Sequence, residues 1–465
     1  MKLMFRYSLL AAWMMAASCL GDLDVKPAGV KDASVAFQDV DDVNTGVLGA
    51  YAALNGQSIK ISSLISDENM LPMENTSNDG VKVFEWQHDA STPNVVPAWQ
   101  GNYQAIDRVN RILAVIDGVH AELPDVERKH RLKGELLAIR AYCHLELLRH
   151  YAVDYAADSA GVPIMTVSQA GQPARNKVGE VFAQIRKDLD GAKALIPASW
   201  TSAGRITRLA VLAIEARTAL YQQDWTTAIA ASREVMDAVP LATAAQFPEI
   251  WTDVRNNEVV WKLEREPVDE RFGAFYRLAG GMVLFAPSFK LIGVFDRAND
   301  VRFNSWIADL NPSPVDTRWA VTKYAGGQPA NYNLTDIKLF RVSEMYLIHA
   351  EAQVRKAGPD IAAANNDLQA LRSQRINNYV HSAFGNAAQA MAAIEEERFR
   401  ELAFEGHRYF DLRRWKKDIV RLPADIVAVG GTDLTLSPAR KNYYMPIPLA
   451  ELQANRNIRQ HPLYE

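Results

Sequence analysis

The chain has 465 residues, 48% of them hydrophobic and 23% charged, with a formal net charge of −4 at pH 7. So even a balance excludes a globally basic field for nucleic acid and an acidic interaction tail. At roughly 150 residues per domain, the length allows about three domains or one large helical domain with an extensive core.

Lys2 and Arg6 precede an apolar run from Leu9 to Ala17 that is too short to span a bilayer as a helix, so residues 1–18 read as an export signal. The run ends in Ala16-Ala17-Ser18-Cys19, small residues followed by a cysteine as in a bacterial lipobox, with Ala16 where leucine is usual. In this reading Cys19 is lipidated and becomes the mature N-terminus. Ala16 and Ser18 also suit an ordinary A-x-A cleavage site. Each buried acyl CH₂ contributes about 0.8 kcal/mol, so several chains hold a domain firmly on a membrane. Once Cys19 is acylated, Cys143 has no disulfide partner, and its apolar helical surroundings make it an inert packing residue. Residues 19–35 are polar, carry Pro and Gly, and read as a tether.

Residues 36–465 are expected to form one domain. Val43, Val47, Leu48, Tyr51 and Leu54 predict a first helix after the acidic cluster at 39–42. Ser66 to Val96 has no sustained period and reads as a long loop, part of a loop-rich insertion over about 60–98. Helices return at Trp99 to Val119 and at Val126 to Tyr151. The second is apolar most of the way round, as a central helix should be. Another pair covers Lys177 to Leu195 and Thr207 to Val239. Ala216, Asp224-Trp225, Ala228 and Pro240 fall where a tetratricopeptide helix pair wants a small residue, a tight turn, a second small residue and a stop. Glu344 to Arg372 repeats that logic around Gly358-Pro359, and Val126 to Tyr151 reads as a degenerate third copy. The expected fold is all-α, a tetratricopeptide-like helix-pair scaffold. A second irregular insertion, about 245–336, is rich in aromatics and carries a few short strands such as Glu258 to Glu264.

The stretch Ile394 to Trp415 is the densest in charge. Read as one helix, it has an apolar stripe of Ile394, Phe399, Leu402, Ala403 and Phe404, with Glu397, Arg398, Glu401, Glu405, Arg408, Asp411 and Arg413 around it. Paired carboxylates suggest glycoside hydrolysis, but those carboxyls flank a substrate from opposite sides, whereas residues four apart on a helix lie side by side. The interspersed arginines keep the acids ionised, so Arg398, Glu401, Glu405, Arg408, Asp411 and Arg413 read as a structural clamp. No nucleophile elbow, phosphate loop, dinucleotide fingerprint or zinc-protease motif is present. No catalytic residue, metal or cofactor is predicted. Sugar rings bind by stacking an apolar C–H face on an aromatic side chain beside polar groups. The candidates for that role are Trp86, Trp306, Trp319, Tyr324 and Tyr332, with Asp67, Asn69, Arg302, Asn304, Asn331 and Asn333 as polar partners.

Several stretches together resemble the SusD/RagB family, surface glycan-binding lipoproteins of Bacteroidetes nutrient uptake. They are Cys19-Leu-Gly-Asp-Leu-Asp-Val-Lys-Pro27, Gly46 to Leu54, the Trp99-x-x-x-Tyr103-x-x-Ile106-x-x-x-Asn110 helix and GELLAIRAYCHLELLRHYA. Arg341 to Ala352, the E-R-x-x-E-L-x-F-E-G-x-R-x-x-D-L-R-R-W string and the ending Pro446-Ile-Pro448 to Pro462-Leu-Tyr464 complete the set. The departures are Ser373-Gln374-Arg375-Ile376-Asn377 in place of an R-x-R-A-G-like turn, and His461 and Leu463 near the end. The resemblance implies an outward-facing lipid anchor in the outer membrane, an oligosaccharide ligand, a SusC-like TonB-dependent transporter as partner and no catalysis. A glycan-cleaving surface enzyme and an adhesive lipoprotein without soluble ligand are the alternatives.

Overall fold

Asp39 opens the first helix by accepting from the Asp42 backbone N–H at 2.9 Å, which satisfies a donor the helix itself cannot. From there the computed structural model describes residues 36–311, 318–327, 332–426 and 433–465. The longer helices are α1 (Val40–Tyr51), α2 (Gln57–Ile65), α3 (Val96–Leu113), α4 (Asp125–Tyr151) and α5 (Val178–Leu195). They continue as α6 (Arg208–Gln222), α7 (Trp225–Ala238), α8 (Val342–Arg355), α9 (Ile361–Ser373), α10 (Ala387–Glu401) and α11 (Arg408–Arg414). Among the described residues no helix is long and apolar enough to cross a membrane.

Every residue of α4 from Ala138 to Tyr151 is buried, because α1, α3 and α5 all pack on it. The pairs α4/α5, α6/α7 and α8/α9 follow one another, with α5 against α6 and α7 against α8. This is the expected all-α, tetratricopeptide-like stack. Gln223, at φ 60°, and Asp224, whose carboxylate accepts from Thr227 N at 3.1 Å, make the tight turn between α6 and α7. Ala213, Ala216 and Ala228 are fully buried, and their small side chains allow those two helices to approach closely. Cys143 is buried in α4, and burial pushes its thiol pKa well up, so it packs as an unreactive group.

Two expectations need correction. Residues 57–65, placed mostly in a loop, form α2 and bury Ile59, Ile61, Leu64 and Ile65; the serines between them hid the pattern. Ile394 to Trp415 is also not one helix. It turns between α10 and α11, where Phe404 and Gly406 take φ of 62° and 80°. A Cβ on Gly406 would lie 3.0 Å from the Ser58 and Ile59 backbone, so α2 can touch this turn only because residue 406 is a glycine.

The strands are short antiparallel ribbons. Val259–Leu263 pairs with Ile337–Arg341 and carries Trp261 into the main core, where it stacks on Phe340 at 6.1 Å. Asn69–Met70 pairs with Ala286–Pro287, and Asn75 Nδ2 donates to the Leu284 carbonyl at 2.8 Å. These contacts join the two irregular regions, which are far apart in sequence, into one surface.

Candidate functional site

The charged stretch around Glu401 is built inward. Glu401 accepts from Arg302 at 2.8 Å, Arg341 at 2.9 Å and Arg375 at 3.1 Å, and all four side chains are essentially inaccessible. Arg302 also holds Asp300 and Glu397, while Arg341 and Arg375 share Glu258. Glu405 binds Arg341 at 2.6 Å and Lys323 at 2.7 Å. Burial alone would raise these acids, but the surrounding guanidiniums outweigh it, holding Glu397 at about 2 and Glu401 well below the usual carboxylate range. None is available as a general acid and none faces open space. The pairs of Glu401 and Glu405 run between elements, while Arg400 with Glu396 and Arg414 with Asp411 pair along their own helices at the expected spacing.

The remaining charges tie α10 and α11 outward. Arg398 meets Asp411 at 2.8 Å, and Arg408 forks onto Asp67 at 2.7 and 2.9 Å, with Lys290 at 2.6 Å. Arg413 donates to the carbonyls of Arg149 at 2.5 Å, of His150 at 3.0 Å, and of Ala152, which closes the C-terminal end of α4.

Most of the predicted sugar contacts lie inside the protein. Trp306 is fully buried between Phe247 and Trp251, at 5.4 and 5.5 Å, under the Lys323 ammonium. Trp86 donates to the Ile65 carbonyl at 2.9 Å beneath Arg421, and Tyr324 donates to the Phe404 carbonyl at 2.9 Å. Asp67 and Arg302 belong to the ion-pair network just described, and Asn69 and Asn333 are buried. None of these seven can be an open platform or rim, because each is closed off inside the protein. Trp319 is half-buried with its ring against Phe303 and Arg297, and Asn304 is exposed in a separate cleft. Tyr332 is half-buried, and its carbonyl accepts from Arg271 at 2.7 Å. Asn331 and Cys19 lie outside the described residues.

The two irregular regions nevertheless meet in a cleft of about 600 Å³ on top of α2, well inside the ~300–1,000 Å³ range of small-molecule sites. Its apolar floor includes Ile61, Leu64, Phe275 and Leu284. Lys60, Asp79, Asn94, Glu270 and Arg271 supply its polar groups. Lys60 pairs with Glu270 and lies 6.0 Å from the Phe275 ring centre, while Asn94 donates to Asp79 at 2.7 Å. The two cations and two anions balance, so the cleft offers an apolar surface and hydrogen-bonding groups without net charge. Among the described residues, no group of three or more His, Cys, Asp or Glu side chains could hold a metal ion.

Residues 23–220 match a family model described as "Starch-binding associating with outer membrane", and residues 314–464 match the "SusD family" model. The two matches do not overlap and together take in most of the sequence. The chain belongs to the SusD family. One relative, SusD-like protein P25 of Formosa agariphila, is 23% identical, with 94% of each chain covered. The Starch-binding protein SusD of Bacteroides thetaiotaomicron is 30% identical over 29% of this chain and 23% of its own. A SusD superfamily crystal structure from Bacteroides thetaiotaomicron superposes with a TM-score of 0.80 at 22% identity, covering 91% of this chain and 100% of that one.

In this SusD family member the cleft residues escaped the sequence reading even though they lie in the regions it singled out. Glu270 and Arg271 flank the aromatic run Phe272-Gly-Ala-Phe-Tyr276, a signal that only a neighbouring exposed wall could make meaningful. Beneath the floor, Glu68 accepts from Ser63 at 2.8 Å, and Ser63 in turn contacts the Tyr276 hydroxyl at 2.9 Å. Burial raises Glu68 to about 7 despite its hydrogen bonds from Ser63 and Phe404. The folded state thus keeps a proton that the unfolded chain releases near pH 4.5, and this group's stabilising effect is complete below that pH and fades as pH rises through 7. Glu68→Gln should therefore match the wild type below pH 4.5 and be more stable above pH 7, by up to roughly 3 kcal/mol. Melting curves at pH 4 and pH 8 check this; an equal or lower stability of the variant at pH 8 refutes it.

Proposed function

We propose that this protein is a cell-surface carbohydrate-binding protein that holds an oligosaccharide in the cleft on α2. The observation that carries the reading is the cleft itself, in which both irregular regions of a SusD family chain contribute a charge-balanced rim over an apolar floor. A sugar ring needs just that combination: C–H groups rest on Phe275 and Leu284 while hydroxyls bond Asp79, Asn94 and Arg271. Tyr332, held beside the rim through its bond from Arg271, is a further contact. The starch-binding name of one relative supports the ligand class.

The same reading has Cys19 lipidated and the protein facing outward; the matching family description supports its association with the outer membrane. It captures the glycan for delivery to a SusC-like TonB-dependent transporter. The protein binds and does not cleave: incubation with polysaccharides should release no new reducing ends, and their appearance would overturn this part.

Asp79 and Arg271 are both exposed, so the double variant Asp79→Ala/Arg271→Ala should melt with the wild type. Losing two hydrogen bonds of about 1 kcal/mol each or slightly more should weaken binding roughly tenfold or beyond. Affinity electrophoresis through gels containing starch or another polysaccharide that retards the wild type measures this. Unchanged retardation of the variant would remove the cleft from the proposal.

A further inference from the structure

A second cleft, of about 750 Å³, lies on the far side of the first turn of α3. The two clefts share that turn as a wall, since Pro97 lines the first while Val96 and Trp99 line the second. Across the second cleft stand Pro163, Met165 and Val167, and Val167 is 52% exposed among the described residues.

The aromatic groups here are fixed. The Tyr103 hydroxyl donates to the Pro163 carbonyl at 2.9 Å, Trp99 Nε1 donates to Glu451 at 3.4 Å, and the two rings sit 4.9 Å apart. With their polar tips held, what remains of the half-buried Tyr103 ring is a rigid apolar contact. Gln100 and Gln104 lie one turn apart on α3 and are exposed, and Gln169 faces them across the opening. None of the three amides has a hydrogen-bond partner among the described residues, in contrast to the polar groups around them. The Asp107 carboxylate is taken by Ser168 at 2.6 Å and Arg111 at 2.8 Å, and Arg108 donates to the Gly49 carbonyl at 2.6 Å.

The free groups of this cleft are thus neutral amides, each able both to donate and to accept, beside an aromatic ring and apolar walls. A hydroxyl also donates and accepts, so the matching ligand is a neutral polyhydroxylated chain. Among the charged side chains that line it, Asp107 and Glu451 outnumber Arg108, so an anionic glycan would meet a net negative wall.

We propose that the second cleft is a further subsite for the same oligosaccharide, engaging sugar units beyond those held in the first. The proposal rests on the carbohydrate reading above. Because the clefts share a wall, a chain long enough to reach both binds the second intramolecularly, at high effective concentration, and affinity rises with chain length.

The test titrates the full folded chain with ladders of malto-oligosaccharides and laminari-oligosaccharides from disaccharide to decasaccharide. Wild-type affinity should step upward at the length that spans both clefts. Gln100→Ala/Gln104→Ala, confined to exposed helix positions, should remove that step, binding the longest fragments about tenfold more weakly and the shortest ones as before. Asp79→Ala/Arg271→Ala should weaken every length. Long fragments bound equally by the wild type and the glutamine variant overturn the second subsite, and so does an equal loss at every length. If the wild type binds neither ladder and no polysaccharide retards it in the gels, the carbohydrate reading fails and the subsite fails with it; if another polysaccharide retards it, fragments of that chain form the ladder.

Discussion

Glu401→Ala is expected to destabilise the protein by about 3–5 kcal/mol, the usual result of removing one member of a buried ion-pair network. Three guanidiniums, those of Arg302, Arg341 and Arg375, converge on this carboxylate in a region closed to water. Arg302 retains Asp300 and Glu397, and Arg341 and Arg375 retain Glu258, but their charges are no longer balanced at the centre. Acid should act in the same direction. Glu397 and Glu401 titrate below their unfolded values, so their stabilisation is present above pH 4.5 and disappears as pH falls toward 2. Chemical denaturation at pH 7, paired with polysaccharide retention of the folded fraction, reads both properties. Weakened retention at unchanged stability would mean that the cluster serves the ligand and not the fold.

The second large effect is at Trp306. Replacing it with alanine removes a fully buried indole from among Phe247, Trp251 and Phe295, and such truncations cost about 3–5 kcal/mol. Lys323, whose ammonium rests 3.6 Å from the ring centre, loses a favourable contact in the same step. Trp306→Ala should therefore melt several degrees lower while the fraction still folded keeps its glycan affinity. Thermal unfolding followed by fluorescence, with binding measured well below the transition, tests this. A variant of wild-type stability that no longer binds would return Trp306 to the ligand.

The residues that announced the helical stack are those whose meaning is local. Asp224-Trp225 marks a turn through the cap that Asp224 makes three residues away, and the apolar wrapping of α4 needs no partner to be recognised. Trp306 and Phe275 were indistinguishable in sequence because both sit in segments without a period, and exposure there depends on what packs from elsewhere. Arg302 looked like a polar ligand contact for the same reason. Its partners Glu397 and Glu401 are about a hundred positions away, and spacing carries no information at that range. The break between α10 and α11 had one local signal, Gly406, but its cause is the approach of the α2 backbone.

The grip of Arg413 on the end of α4 bears on how the chain acquires its structure in time. The carbonyls of Arg149, His150 and Ala152 are made early in synthesis, but the side chain that satisfies them emerges more than two hundred and fifty residues later. Until then those carbonyls at the end of the central helix lack the side chain that satisfies them in the folded chain. Such a topology delays cooperative closure until the chain is nearly complete. Shortened chains ending before Arg413 should accordingly be open and protease-sensitive along α4, far from the point of truncation.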